Sequence, residues 1–120
     1  MKNPTPEVLE AAALAVIQKE LDLLPDEVAG PVRRVAILLH AEPEDEATAD
    51  CLGLFEGCSL SDPEPVHAQD MPRITFFLNN LWDEAGGQMR LFEDEVRITF
   101  RHEIGHYLGW NEEEVEQRGL

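Results

Sequence analysis

The chain has 120 residues and a formal charge of −16, from 9 basic and 25 acidic side chains. This length suits one domain with a hydrophobic core, so we expect residues 1–120 to form a single domain. A hydrophobic fraction of 43% excludes a disordered chain. The negative charge repels phosphate groups, which argues against nucleic acid or an anionic membrane as a partner.

The N-terminal segment has no signal-peptide character, because Glu7, Glu10 and Lys19 interrupt its apolar residues. No stretch approaches the ~20 apolar residues that a membrane-spanning helix needs. We therefore expect a cytoplasmic protein. No feature of the sequence specifies an oligomeric state.

The first half of the chain predicts a helix, a strand and a second helix. TPE at residues 5–7 has the order of cap, proline and acid that begins a helix, and apolar residues then recur at helical spacing until Pro25. VRRVAILLH at 32–40 is typical of a buried strand. Residues 46–55 are predicted to form a helix that Gly57 terminates.

The second half predicts a long loop, a strand and a long helix. The loop covers residues 59–72 and is rich in proline, and RITFFLN at 73–79 predicts a strand. Residues 91–108 predict a helix whose apolar stripe includes Val96 and Phe100. The expected fold class is α+β, a short mixed sheet packed with helices, without regular βαβ alternation.

Cys51 and Cys58 are the two cysteines, and their spacing matches neither a CxxC pair nor a disulfide framework. The predicted helix would place them near one face, which leaves a bridge or a soft-metal pair open. Reduced, partly buried thiols fit a cytosolic protein better.

HEIGH at residues 102–106 predicts a metal site on the last helix. His102 and His106 are four residues apart, so their imidazoles project from one face and can share a zinc ion. Glu103 lies one step around the helix. Its carboxylate is thereby kept out of the coordination sphere yet near enough to act as general base on a metal-bound water, as in HExxH hydrolases.

A third protein ligand is expected just after the helix. Gly109 can adopt the left-handed conformation that ends a helix and turns the chain back. The residue three positions later is Glu112, which would complete a site of two nitrogens and one carboxylate. Glu113 and Glu114 adjoin it and remain alternatives, since a different turn would change the ligand.

Other interpretations of this region and other histidines remain open. Asn111 could cap a following short helix, with Glu112 only stabilising the helix dipole. His40 ends the first predicted strand and is more typical of a structural histidine. His67 lies in the proline-rich loop, where we expect it to be exposed.

These motifs together resemble the minimal zincin-like metallopeptidase family of small bacterial proteins. The resemblance rests on HExxHxxG followed by acidic residues, on CLGLFEG at 51–57, on RITFFLN before the helix, and on the pattern from residue 93 to 119. It spans roughly residues 30–120. The resemblance implies a small zincin-like domain and a zinc-dependent peptidase that acts on a peptide or protein substrate.

The resemblance also implies the roles of single residues. His102 and His106 would be zinc ligands, Glu103 the catalytic carboxylate, and Glu112 the third ligand, where the family usually has aspartate. Zincins hold an extended peptide against an edge strand, which makes residues 73–79 our candidate for that strand unless it is central and buried. Guesses for the group that stabilises the oxyanion are the side chains of Asn79, Asn80 and Arg101.

Two other functions are compatible with parts of the sequence. A metal-dependent endoribonuclease could use an HxxxHxxGxx-ligand site, although Glu103 and the charge of −16 argue against it. A metal-stabilised binding module with little or no catalysis is the second alternative, and the presence of Glu103 argues against it.

Overall fold

The computed structural model of the chain describes residues 3–110, together with residues 113 and 117. Within these residues, four α-helices pack with a three-stranded mixed sheet, which confirms the expected α+β class. The helices are α1 (Pro6–Leu23), α2 (Asp26–Arg33), α3 (Leu78–Glu84) and α4 (Met89–Tyr107), and the strands are β1 (Ala36–His40), β2 (Gly53–Glu56) and β3 (Arg73–Phe77).

Helix α1 begins and ends as its sequence predicts. The Thr5 hydroxyl accepts a hydrogen bond from the Val8 amide at 3.3 Å, and Pro6 occupies the first helical position. Leu24 is the C-cap, directly before Pro25. One face of the helix enters the core, and it includes the carboxylate of Glu20.

Strand β3 is the centre of the sheet. It pairs in parallel with β1, with Ile37 opposite Ile74, and antiparallel with β2, with Gly53 opposite Phe76. All but the first residue of β3 are buried. Of the two alternatives for residues 73–79, an edge strand or a central, buried strand, the structure has the second, because β1 and β2 occupy the two edges.

The predicted helix at 46–55 is also wrong. Only Glu46–Thr48 form a short 3-10 helix, and Gly53–Glu56 form strand β2. Glycine is a poor helix former, and the ladder with β3 supplies backbone hydrogen bonds that a local helix would forgo.

Two further boundaries differ from the prediction. The strand predicted at 32–40 begins only at Ala36, because Val32 lies in helix α2 with its side chain in the core. The strand predicted at 73–79 ends at Phe77, and helix α3 follows at once. Neither α2 nor α3 was expected from the sequence, since both are short and take their stability from packing rather than from a long apolar period.

Helix α4 confirms the helix predicted at residues 91–108, and it begins two residues earlier, at Met89. Its apolar stripe, Val96, Phe100 and Ile104, is buried in the core. The helix packs against α1, α3 and β2, so it crosses the centre of the molecule. Across the described part of the chain, no helix combines the length and apolarity needed to cross a membrane.

Candidate metal centre

The C-terminal end of α4 is held by a specific turn. The Gly109 amide donates to the His106 carbonyl at 2.9 Å, and the Trp110 amide donates to the Gly105 carbonyl at 3.0 Å. These two bonds form a Schellman motif, and Gly109 takes the left-handed conformation it requires, with φ +85. The predicted role of Gly109 in ending the helix in the left-handed conformation is confirmed.

His102 and His106 present their imidazoles to each other. Their Nε2 atoms are 3.2 Å apart, and the ring planes meet at 81°. Two nitrogens that bind one tetrahedral zinc at ~2.0–2.1 Å are separated by roughly 3.3 Å. The spacing of this donor pair therefore fits a shared zinc ion without rearrangement of the helix.

Glu103 completes the cluster. Ligand atoms of His102, Glu103 and His106 lie within 4.8 Å of one another, and among the described residues these three form the group that could hold a metal. The Glu103 side chain is buried, whereas the two histidines are partly exposed. The two histidines are thus more accessible to solvent than the carboxylate.

A groove lies beside this cluster, between β2 and α4. Its volume is about 280 Å³, and it is lined by residues 51–53 on the strand side. Ile98, Thr99, His102 and Glu103 line it on the helix side. The groove therefore connects an edge strand to two residues of the cluster, His102 and Glu103.

The predicted third ligand, Glu112, lies outside the described residues, as do Glu114 and Asn111. Glu113 is described. Its exposed carboxylate accepts a hydrogen bond from Gln117 at 3.3 Å, and it is not part of the cluster. The choice of Glu112 stays a prediction.

The remaining histidines lie elsewhere in the fold. His40 is exposed at the end of β1, where its ring packs edge-on against Phe77. His67 is exposed in the long loop. Neither belongs to the cluster that could hold a metal.

The two cysteines carry free thiols and do not share a helix. Cys51 precedes β2 and lines the groove. Cys58 lies after β2, where desolvation, followed by the negative charges of Asp70 and Asp62, raises the pKa of its thiol. A raised pKa leaves less thiolate at neutral pH, which disfavours both metal binding and oxidation at Cys58.

The three guesses for an oxyanion donor make other contacts. Asn79 donates to the Glu42 carboxylate, and Arg101 donates to the buried carboxylate of Glu20. Asn80 donates to the carbonyls of Ala49 and Cys51 at 2.9 and 2.8 Å. Asn80 thus fixes the segment that leads into β2.

Sequence reasoning missed Gly53 and Thr99, which meet where β2 crosses α4. A Cβ atom added to Gly53 would stand 2.5 Å from the Thr99 methyl group. The only signal in the sequence was a glycine inside CLGLFEG, which we assigned to a helix. Its significance depends on a contact between distant parts of the chain.

The comparison with protein families gives one result that bears on this site. The family described as zincin-like metallopeptidase matches residues 32–120, a range that includes β2, the groove and the whole of α4. No curated protein matches the chain significantly.

Proposed function

Because the chain belongs to the zincin-like metallopeptidase family, we propose that it is a zinc-dependent peptidase. The observation that carries the proposal is the separation of 3.2 Å between His102 Nε2 and His106 Nε2, with the buried Glu103 beside them. A histidine pair at zinc spacing next to an acid is an arrangement suited to zinc-dependent amide hydrolysis.

The residues that would hold zinc are His102 and His106, with Glu112 as the proposed third ligand. Bound zinc supplies a Lewis acid that polarises the substrate carbonyl and makes water a better nucleophile at neutral pH. Two neutral nitrogens and one carboxylate are a common ligand set for catalytic zinc.

Glu103 is proposed to be the general base and then the general acid. Its carboxylate accepts a proton from water as the water oxygen forms a bond to the peptide carbon. The same proton then passes to the amide nitrogen as the C–N bond breaks, so that an acid and an amine leave. The buried position of Glu103 keeps its carboxylate oriented and limits competition from bulk water.

The substrate is proposed to be an extended peptide that pairs with β2. This strand lies at the edge of the sheet and borders the groove at the cluster, so its outer edge can accept a peptide as an added strand. The charge of −16 favours basic or flexible peptides. We expect narrow specificity, and brisk digestion of casein by the purified protein would contradict this.

The test uses a library of random decapeptides and mass spectrometry to find cleaved bonds. We expect Glu103→Gln to lower kcat for the best peptide by about 10²–10⁴-fold, because the proton acceptor is lost. Zinc affinity, measured by calorimetry, should stay within a few-fold of wild type. An unchanged rate in Glu103→Gln would remove this residue from the mechanism.

Two matched controls make the result specific. Glu113→Gln changes an exposed glutamate outside the cluster and should leave both the rate and zinc binding intact. His102→Ala should lower zinc affinity by more than about 100-fold, since loss of a ligand should exceed the effect of losing an outer-shell contact. Retention of full zinc affinity by His102→Ala would contradict the proposed metal site.

A further inference from the structure

At Gly53, strand β2 packs against helix α4 with no side chain between them. It lines the groove together with Thr99 and Glu103, which lie four residues apart on one face of the helix. A Cβ atom added at Gly53 would stand 2.5 Å from Thr99 Cγ2 and 3.7 Å from Glu103 Cγ. The missing side chain is what allows the strand to pack directly on this face.

The added methyl group would also have a close neighbour in the central strand. On its other side, the added Cβ would be 3.3 Å from the carbonyl oxygen of Thr75, which belongs to the central strand. Thr99 and Glu103 are both buried. An added methyl group must therefore displace the Thr99 side chain or helix α4, which carries both Thr99 and Glu103.

We propose that Gly53 is a positioning residue that holds the Glu103 carboxylate at the histidine pair by setting the separation of β2 and α4. The proposal rests on the peptidase function proposed above. His102 and His106 are not among the atoms that the added Cβ would approach most closely, whereas Thr99 and Glu103 are. Displacement should thus move the general base relative to the metal ligands, and a misplacement of ~1 Å can lower a rate by ~10²-fold.

The experiment is a set of substitutions that add or remove single methyl groups. Gly53→Ala introduces the clash, and Thr99→Ser in the same chain removes the methyl group it meets. Thr99→Val keeps that methyl group and replaces the hydroxyl with a second one, so it is the matched control for the double variant. Gly30→Ala is the control for adding a methyl group, because a Cβ there meets nothing within 4 Å.

For each zinc-loaded variant, kcat and KM are measured on the best decapeptide, with zinc affinity and Tm. We expect Gly53→Ala to lower kcat by about 10- to 100-fold, with zinc affinity and KM within about threefold of wild type. Gly53→Ala/Thr99→Ser should recover most of the kcat of Thr99→Ser alone. Gly53→Ala/Thr99→Val should not recover, and Gly30→Ala should match wild type.

Crystal structures of the zinc-loaded proteins provide a readout that does not depend on activity. In Gly53→Ala we expect the Glu103 carboxylate to move by about 1 Å while the two Nε2 atoms keep their separation. An unmoved Glu103, a wild-type kcat, or equal recovery with Thr99→Ser and Thr99→Val would overturn the proposal. If Gly53→Ala does not fold, the two double variants still decide it.

Failure of the proposed function would give a different result. In that case the wild-type protein would cleave no peptide in the library, yet the crystal structures would still show whether Gly53 controls the position of Glu103. Activity of wild type together with an unmoved Glu103 would refute the positioning role alone.

Discussion

At the scale of single residues, Glu95 is an acidic group whose neighbours disfavour its charge. It lies on α4 one helical turn before Thr99, and desolvation raises the pKa of its carboxyl, with further contributions from Glu84 and Asp94. A pKa raised in the folded state means that the folded protein holds this proton more tightly than the unfolded chain. The ionised form of Glu95 therefore destabilises the fold.

We predict that Glu95→Gln stabilises the protein at neutral pH. Below the ordinary glutamate pKa of about 4.3, Glu95 is protonated in both states and its contribution to stability is fully present. That contribution is lost as the pH rises through the raised pKa of the folded state. The variant should thus have the higher Tm at pH 7, and the difference should shrink toward pH 4 in thermal melts of the metal-free protein.

The control for this prediction is Glu93→Gln, which removes one carboxylate from the same helix. A gain in Tm for Glu95→Gln no larger than that for Glu93→Gln would show that total charge, rather than the surroundings of Glu95, is responsible. A lower Tm for Glu95→Gln at pH 7 would contradict the prediction outright.

At the scale of elements, one buried carboxylate joins the first helix to the helix of the metal centre. Glu20 of α1 is 5% exposed, and it pairs with Arg101 and, at 4.0 Å, with Arg97 of α4. Arg101 directly precedes His102. The pair therefore anchors α1 to the turn of α4 from which the first metal ligand projects.

We predict that Glu20→Gln lowers the free energy of unfolding by about 1–3 kcal/mol, less than the loss of a partner from a fully buried pair, because both arginines are partly exposed. Asp22→Asn is the matched control. Asp22 lies on the same helix as Glu20, and its pair with Arg33 of α2 is exposed on the surface, so the loss should be at most about 1 kcal/mol. Urea denaturation measures both, and equal losses would show that burial of Glu20 is unimportant.

The elements that the sequence predicted well are those whose information is local. Helices α1 and α4 have long apolar stripes, and a cap or a glycine marks at least one end of each. Strand β2 was mistaken for a helix because its four residues have no strong period of their own and are fixed by pairing with β3. Helix α3 was missed because it follows β3 without a turn.

At the scale of the whole molecule, the part of the candidate site that is local in the sequence could be predicted, and the part that depends on the fold could not. His102, Glu103 and His106 lie within one helical turn, so the motif alone brought them together correctly. The groove beside them could not be predicted from the motif, because it forms between β2 and α4 in the folded chain. The sequence also did not show which strand lies at the edge, since the order of strands in a sheet is set by long-range packing.

The charge of the whole molecule predicts how its stability depends on salt. With 25 acidic and 9 basic side chains, repulsive pairs outnumber attractive ones, so compaction brings like charges together. Raising ionic strength from ~0.01 M to ~0.15 M shortens the Debye length from ~30 Å to ~8 Å and screens this repulsion. We therefore expect the Tm of the metal-free protein to rise by a few degrees at pH 7.

Sodium chloride and sodium fluoride should act alike, and the rise should diminish near pH 4, where many carboxylates are protonated. A Tm that falls with salt at pH 7 would show that ion pairs such as those of Glu20 contribute more to stability than the net repulsion removes.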